Sequence, residues 1–294
     1  METRLLHYFI VLTRIGNITK AANELHITQP TLSRQLKDLE DEVGTQLFIR
    51  GKRSITLTDA GVLFEQRAKT MLDFMEQTKQ DLHSQHSDLA GNIRIGCVES
   101  KVSKYVAAWI ASFQKQHPNI TFSLYSSDGN AIKTRLDNGE LDVGFLIEPV
   151  ESAKYWAQSI PVIETWGLMM SKDAPLANRT SIIGKDLLGI PLLGARRSIV
   201  IDQVSTWLNI DPDNLTLCGN RNLENNVMPL ITRHGYFDIA VDGMLDFYPN
   251  GPIKLIPFDP ISQTGHTFIY RKNHQPTPIA QAFIDYVSAE IQTM

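Results

Sequence analysis

The chain has 294 residues, which is enough for two or three compact units. Its 43% hydrophobic and 20% charged residues are typical of a globular protein and exclude a disordered chain. The net charge of −4 would argue against nucleic-acid binding if it were evenly spread, but residues 1–58 hold eight Lys/Arg against six Asp/Glu. The positive excess lies at the N-terminal end, and an acidic remainder limits nonspecific adhesion to nucleic acid.

Two cysteines, Cys97 and Cys218, are too few for a disulfide framework. Each lies beside a glycine in an apolar run, so we expect small buried hydrophobic residues, with a redox pair as the alternative. No apolar run approaches the roughly 20 residues of a membrane span, and no cleavage site follows the first apolar segment. The sequence therefore predicts a cytoplasmic protein without a membrane partner.

The pattern of residues 17–39 predicts two short helices separated by a break at residues 26–27. In the first, Ala21 and Ala22 allow another helix to approach closely. In the second, Thr28 is a candidate N-cap, and Pro30 falls in the first turn, where its missing N–H costs nothing. Leucines at helical spacing are expected to face inward, namely Leu32, Leu36 and Leu39. This arrangement indicates a helix-turn-helix.

The outer face of the second helix carries amide, hydroxyl and cationic groups, which read base edges and bind phosphates. A helix over residues 2–15 precedes this pair, and two strand patterns follow it at 46–50 and 54–57. Between them lies a basic hairpin tip, the wing of a winged helix, which suits phosphate or minor-groove contact. The predicted DNA-binding residues are Gln29, Pro30, Thr31, Ser33, Arg34, Lys37, Arg50, Lys52 and Arg53. Arg34 could bind a guanine edge or a phosphate, and a solvated helix face is the alternative for Arg34 and Lys37.

A long helix is predicted from Asp59 to about Leu89, with an apolar seam at alternating four- and three-residue spacing. The seam consists of Phe64, Ala68, Met71, Met75, Thr78, Leu82 and Leu89. A single amphipathic helix of this length gains little alone, so we expect it to pair with a second copy in a homodimer or homotetramer. Packing on its own body is the alternative. His83 and His86 are spaced for a metal, but no Cys or carboxylate cluster supports a site, and we expect none.

From residue 91 onward the pattern alternates between strands and helices, which predicts parallel sheets covered by helices. The predicted strands span residues 93–98, 121–125, 141–147, 166–170, 191–195, 215–218, 238–241 and 266–271. The predicted helices span residues 105–116, 131–138, 198–208, 223–233 and 278–291.

These motifs stand in the order and spacing of a known family. The matching N-terminal residues are Asn17-Ile18-Thr19-Lys20-Ala21-Ala22, Leu25, Thr28-Gln29-Pro30-Thr31-Leu32-Ser33, Leu39-Glu40, Gly44, Leu47-Phe48, Arg50 and Leu57-Thr58-Asp59-Ala60-Gly61. The chain resembles a LysR-type transcriptional regulator over its whole length. The resemblance implies an α/β protein overall, with an N-terminal winged helix-turn-helix, a long linker helix and a C-terminal two-lobed α/β regulatory domain similar to periplasmic binding proteins.

The resemblance also implies domain limits. It places the DNA-binding domain at 1–58, the linker helix at 59–90 and the effector-binding domain at 91–294. The first lobe would comprise 91–161 and 266–294, and the second lobe 162–265. The run from Arg233 to Ala240 departs from the family pattern, because bulkier residues stand where many members have a small glycine-rich run. Val241-Asp242-Gly243 follows in place of Leu-Pro, so we expect a different pocket wall in the second lobe.

Ligands of such lobes lie beyond the carboxyl ends of the parallel strands, near helix N-termini. The predicted effector-binding residues are Glu99, Ser100, Lys101, Val102, Arg197, Ser198, Asn226 and Thr264, with Asn225 as a further wall candidate. Hydroxyls at helix starts beside Arg197 or Lys101 suit a carboxylate or phosphate, although Glu99 counts against a simple anion pocket. The alternative is N-capping by Ser100 and Ser198 with solvated cations beside them.

The sequence therefore predicts a DNA-binding transcriptional regulator that senses a small-molecule effector, for which an anion is the candidate. Its expected partners are double-stranded DNA, the effector, a second copy of the chain and, for an activator, RNA polymerase. The alternatives are a solute-binding protein without a DNA role and a metabolic enzyme with an accessory DNA-binding unit. The chain has no HExxH, GxSxG, P-loop or GxGxxG motif, so we expect neither catalysis nor a cofactor.

Overall fold

The computed structural model describes residues 1–51, 54–83, 89–195 and 198–294. The chain divides into two compact units, Met1–Gln85 and His86–Met294. Among the described residues, no helix combines the length and the apolar character needed to cross a membrane.

The N-terminal unit is a helical bundle with a small hairpin. Its elements are α1 (Thr3–Ile15), α2 (Ile18–Glu24), α3 (Gln29–Val43), β1 (Phe48–Arg50), β2 (Ile55–Leu57) and α4 (Asp59–His83). Asn17 caps α2 by accepting the N–H of Lys20, and Thr28 caps α3 by accepting the N–H of Thr31. Thr28 starts α3 as predicted, and the predicted break at residues 26–27 lies between the end of α2 and this cap.

The core of this unit is formed by the apolar faces of α1, α2 and α3. Its fully buried side chains are Phe9, Leu12, Ala21, Ala22, Leu32, Leu36, Leu39, Leu47 and Phe48. The leucines of α3 are therefore inward, as their spacing predicted. Burial of one face leaves the opposite face of α3 on the surface.

The predicted seam of α4 is wrong in its first turns. Phe64 packs edge-on against Phe9, with ring centroids 5.2 Å apart, and Ala68 is buried. Both positions belong to the core of their own unit because α4 lies against α1. The apolar side chains that α4 exposes are Val62, Leu63, Met71, Phe74 and Met75. Leu89 lies beyond α4 and packs against the core of the second unit.

The second unit is a two-lobed α/β structure. Its strands are β3 (Gly91–Cys97), β4 (Ile120–Ser126), β5 (Val143–Ile147), β6 (Tyr155–Ser171), β7 (Leu192–Ala195), β8 (Leu217–Arg221), β9 (Phe237–Val241), β10 (Ile253–Pro257) and β11 (Gln263–Arg271). Its helices are α5 (Val102–Gln116), α6 (Gly129–Asp137), α7 (Ser198–Trp207), α8 (Met228–His234) and α9 (Pro278–Gln292). Each lobe has its own hydrophobic core.

The strands follow the order β4-β3-β5-β11-β6-β9-β7-β8, with β10 paired to β6. Strand β3 runs parallel to β4 and β5, and β7 runs parallel to β8 and β9, as the alternation predicted. The 17-residue β6 pairs with β11 in the first lobe and with β9 and β10 in the second. The sequence predicted only the end of β6, because Pro161 interrupts the strand pattern. It also missed β10.

The two cysteines differ in environment. Cys97 is buried, as expected, and burial raises the pKa of its thiol to about 12. Cys218 is exposed, contrary to the prediction, because β8 is an edge strand. Of the predicted histidine pair, His86 and the side chain of His83 lie outside the described residues.

Gly61 lies in the first turn of α4, directly against the hairpin. A Cβ added there would lie 1.8 Å from the backbone oxygen of Leu47, which cannot rotate away. We expect Gly61→Ala to lower the free energy of unfolding of the N-terminal unit by roughly 2–4 kcal/mol, measured by calorimetry. Arg67→Ala, at an exposed position of the same helix, should change it by less than about 0.5 kcal/mol. Equal stability of the two variants would contradict the close packing.

Candidate functional site

The outer face of α3 presents a continuous polar surface. Its exposed residues are Gln29, Pro30, Thr31, Arg34 and Lys37, and Ser33 is half-buried among them. In the described part of the chain, neither Arg34 nor Lys37 forms a salt bridge within the unit. Their charges are therefore available to a polyanion.

The hairpin lies beside this face. Arg50 Nη1 donates to Ser33 Oγ at 3.4 Å, and its guanidinium lies 5.7 Å from the ring centroid of Phe48. Gln29 Nε2 donates to the same Ser33 oxygen at 2.7 Å. The contacts bring Gln29, Ser33 and Arg50 of the predicted DNA-binding set together. Lys52 and Arg53 lie outside the described residues.

Glu40 holds the start of the hairpin, a role that the sequence analysis missed. Its Oε1 accepts the backbone N–H groups of Leu47 at 2.7 Å and Phe48 at 3.2 Å. Charge-assisted bonds of this kind are roughly twice as strong as neutral ones. Glu40 therefore fixes β1 relative to α3 and so places Arg50 beside the helix.

The second unit contains a cavity of about 80 Å³ between its lobes. The polar and aromatic residues that line it are Glu99, Ser127, Asp128, Glu148, Trp166, Arg221, Asn222 and Glu224. Apolar side chains from both lobes complete the wall, among them Val98, Ile147, Val200 and Leu223. Apolar walls with a few polar groups are the composition of a small-molecule site, although the volume is below the roughly 300–1,000 Å³ of most ligand pockets.

Arg221 is held by carboxylates on the second-lobe side of the cavity. Its Nε lies 3.0 Å from Asp238 Oδ2, and its Nη2 lies 2.9 Å from Glu224 Oε1. Burial raises the pKa of Asp238 to about 6, although Arg221 opposes the shift. Burial also raises the pKa of Glu224, again opposed by Arg221. The positive charge of Arg221 is thus largely neutralised within the wall.

The residues that follow β3 have separate roles, and only Glu99 of the predicted set lines the cavity. Ser100 is buried and its Oγ lies 2.8 Å from His266 Nε2. Lys101 Nζ lies 2.6 Å from Asp242 Oδ1, so this cation already has a partner. Val102 is fully buried in the first-lobe core.

The other predicted effector residues are also placed away from the cavity or are not described. Thr264 Oγ1 donates to the carbonyl of Glu148 at 2.9 Å and borders a separate open depression of about 590 Å³. Asn226 is exposed and does not line the cavity between the lobes. Arg197 and the side chain of Ser198 lie outside the described residues.

The cavity residues that the sequence analysis missed follow strand ends. Asp128 comes soon after β4, Glu148 directly follows β5, and Asn222 directly follows β8. The rule applied to β3, that ligand groups follow the carboxyl ends of parallel strands, would have found them. Trp166 had no such signal, because it lies inside β6.

Family comparisons identify both units. A model described as "Bacterial regulatory helix-turn-helix protein, lysR family" matches residues 3–62, and a LysR substrate binding domain matches residues 86–222. The HTH-type transcriptional regulator YybE of Bacillus subtilis, itself described as uncharacterized, is 31% identical over 222 residues, covering 72% of this chain and 74% of that protein. The chain belongs to the lysR family.

Further relatives agree with this assignment. A hydrogen peroxide-inducible genes activator of Pectobacterium carotovorum is 30% identical over 194 residues, covering 66% of this chain and 64% of that protein. The crystal structure of full-length CbnR complexed with its target DNA covers 98% of this chain and 99% of that chain, with a TM-score of 0.73 and 20% identity. At that identity, the likeness to CbnR shows the fold.

Membership of the lysR family confirms the predicted class and fold. The protein is a DNA-binding transcriptional regulator with an N-terminal helix-turn-helix and a C-terminal substrate-binding domain of mixed α/β structure. Regulators of this family are generally not enzymes. The assignment of individual residues to DNA binding or to effector binding stays a prediction.

Two buried serines provide a test of the contact between Ser100 and His266. Ser100 is 1% exposed and bonded to His266, whereas Ser205 is 3% exposed and its hydroxyl has no hydrogen-bond partner among the described residues. We expect Ser100→Ala to lower the free energy of unfolding by about 1–3 kcal/mol, because it removes the closest partner of a buried imidazole nitrogen.

Ser205→Ala serves as the matched control, since it removes a hydroxyl that makes no bond. Its expected effect is neutral or stabilising. Urea denaturation followed by tryptophan fluorescence measures both, because all four tryptophans lie in the second unit. A Ser100→Ala variant as stable as Ser205→Ala would contradict the role of the Ser100–His266 bond.

Proposed function

We propose that this lysR-family regulator binds a specific operator through the outer face of α3 and the hairpin beside it. The observation that supports this most directly is the exposure of Arg34 and Lys37 on a capped helix whose other face is buried. Residues near the N-terminus of α3, Gln29 and Thr31, would reach base edges, while Arg50 would contact phosphate. A solute-binding protein without a DNA role would not need this N-terminal unit.

The regulator would act as a homo-oligomer joined through α4. Among the described side chains of this helix, five large apolar ones are exposed, Val62, Leu63, Met71, Phe74 and Met75, and Phe74 is 58% exposed. Contiguous exposed apolar surface of this kind marks an interaction site. Pairing of two α4 helices would bring two DNA-binding units to two half-sites, which matches the proposed division into residues 1–58, 59–90 and 91–294.

The second unit would sense a small-molecule effector in the cavity between its lobes. An effector can shift the regulator between two arrangements only if it binds them with different affinities. A ligand that contacts both walls of the cavity meets this condition, because the separation of the walls changes when the lobes move. In an activator, RNA polymerase would be a further partner.

Replacement of Arg34 tests the DNA-binding proposal. A duplex enriched from a random pool by the full-length chain supplies the specific target, and fluorescence anisotropy measures the affinity. We expect Arg34→Ala to weaken binding to this duplex by about 1–3 kcal/mol if Arg34 contacts a base. If it contacts a phosphate, the loss should be similar on all sequences, with a shallower salt dependence.

Lys115→Ala removes an exposed cation from the second unit and serves as the control. It should leave the affinity for the enriched duplex unchanged. An Arg34→Ala variant that binds as tightly as the Lys115→Ala variant would rule out the proposed face of α3.

A further inference from the structure

Among the described residues, those that line the cavity between the lobes carry more negative than positive charge. Four carboxylates border it, from Glu99, Asp128, Glu148 and Glu224, while Arg221 is the cation of the lining in the part of the chain that the structure describes. Arg221 is itself paired with Glu224 and Asp238. The first-lobe wall therefore keeps carboxylates that this arginine does not neutralise.

Asp128 and Glu99 share one feature. In each carboxylate, one oxygen accepts a hydrogen bond and the second oxygen is buried without a partner among the described residues. Asp128 Oδ1 accepts the backbone N–H groups of Asn130 and Ala131 at the start of α6, and Glu99 Oε1 lies 3.4 Å from Asn225 Nδ2 across the lobes. Asp128 Oδ2 and Glu99 Oε2 have no hydrogen-bond partner among the described residues. Buried polar atoms of this kind are rare and need an explanation.

A hydrogen-bond donor in the same wall is also unpartnered. Trp166 lines the cavity, is only 6% exposed, and its indole Nε1 has no partner in the described part of the chain. Buried indole N–H groups usually find an acceptor. The residues that line the cavity thus carry two buried acceptor oxygens and one buried donor that no described residue satisfies.

The electrostatics of Glu99 agree with a missing positive charge. Burial raises the pKa of its carboxyl, the nearby Glu224 raises it further, and Arg221 partly opposes the shift. Tyr248 is also near Glu99, and burial together with this carboxylate raises the pKa of its phenol. A cation in the cavity would favour the ionised form of Glu99. Its binding would therefore strengthen as the pH rises through the pKa of Glu99 in the free protein.

An organic cation fits the cavity better than a metal ion. Among the described residues, no group of three or more His, Cys, Asp or Glu is close enough to hold a metal. The same lining also contains apolar side chains, those of Val98, Ile147 and Val200. Apolar surface of this kind would contact the hydrocarbon part of an organic molecule, and a hydrated metal ion would gain nothing from it.

We propose that the cavity binds a small organic cation, with an ammonium or guanidinium group donating to Glu99 and Asp128 and a separate acceptor receiving the Trp166 N–H. This inference rests on the proposed role of the cavity as an effector site. It reverses the charge suggested by the sequence, where hydroxyls beside Lys101 or Arg197 favoured an anion. The structure pairs Lys101 with Asp242 and Ser100 with His266, and Arg197 lies outside the described residues.

Three four-carbon probes of matched size test the charge preference on the full-length chain. They are 4-aminobutanamide, which carries a cation and an amide acceptor, succinamate, which carries an anion and the same amide, and neutral butanamide. A ligand that binds the folded state raises the thermal midpoint by mass action. We expect the aminobutanamide to raise the midpoint at millimolar concentration, more at pH 8 than at pH 5.5, and the other two probes to have no effect.

Glu99→Gln and Asp128→Asn locate the site, because each keeps the oxygen that is already bonded and removes the charge. We expect each variant to lose roughly tenfold in affinity for 4-aminobutanamide, the value of one charge-assisted hydrogen bond. Without a ligand, Glu99→Gln should be as stable as the original chain or more stable, since a buried charge is removed. Asp246→Asn, an exposed position of the second lobe, is the control and should bind the probe normally.

Four results with the probes would each overturn the inference. They are stabilisation by succinamate, equal stabilisation by all three probes, stabilisation by none of them, and stabilisation by Mg²⁺ or Ca²⁺ in their place. An unchanged affinity of both carboxylate variants would overturn it as well. Succinamate binding that Glu99→Gln alters would leave effector sensing in place while reversing the ligand charge. Binding of the chain to its enriched duplex is measured separately, without a probe. Failure of the DNA-binding proposal can therefore be told apart from failure of the proposal on the ligand.

Discussion

The arrangement of the second unit depends on the buried carboxylate of Glu164. Its side chain is 0% exposed, and its two oxygens accept the backbone N–H of Lys101 from the first lobe and of Gly243 from the second. A buried carboxylate is tolerated only when hydrogen bonds compensate for its lost hydration. Because these bonds come from both lobes, Glu164 ties the lobes together at the point where β6 crosses between them.

Other groups reinforce the same contact. His266, on β11, lies 3.5 Å from Glu164 through Nε2, and its Nδ1 lies 2.8 Å from the carbonyl of Val162. Since a carbonyl only accepts, Nδ1 carries the hydrogen. Gly243 has no room for a side chain, because a Cβ would lie 2.4 Å from the backbone nitrogen of Lys101. The lobes therefore meet at backbone distance here.

This contact explains the chemistry left in the cavity. The serine and lysine that follow Glu99 are turned into the junction, where they bind His266 and Asp242. Glu99 is the residue of that loop that remains at the cavity wall, together with Asp128 from the next strand end. Because Lys101 is paired within the junction, the carboxylates of Glu99 and Asp128 remain in the wall of the cavity. A small change in the angle between the lobes would alter the distance between the cavity walls.

In the N-terminal unit, the arrangement of α3 and the hairpin depends on a different set of contacts. Its core is small, so single contacts such as Glu40 with the hairpin and Gly61 with Leu47 set the position of the hairpin beside α3. These contacts lie within one unit of 85 residues and involve neighbours close in sequence. For that reason the local pattern was enough to predict the helix-turn-helix and the hairpin, but not these two contacts.

Periodicity, caps and motif spacing in the sequence determined the family, the helix-turn-helix with its inward leucines, and most strands and helices of the lobes. These features depend on interactions between residues a few positions apart. Only the tertiary structure decided that Phe64 and Ala68 belong to the core, that β6 continues through Pro161, and which polar groups line the cavity. Each of these depends on contacts between residues distant in the chain, as with Lys101 and Asp242, and no local pattern contains the distance between two such side chains.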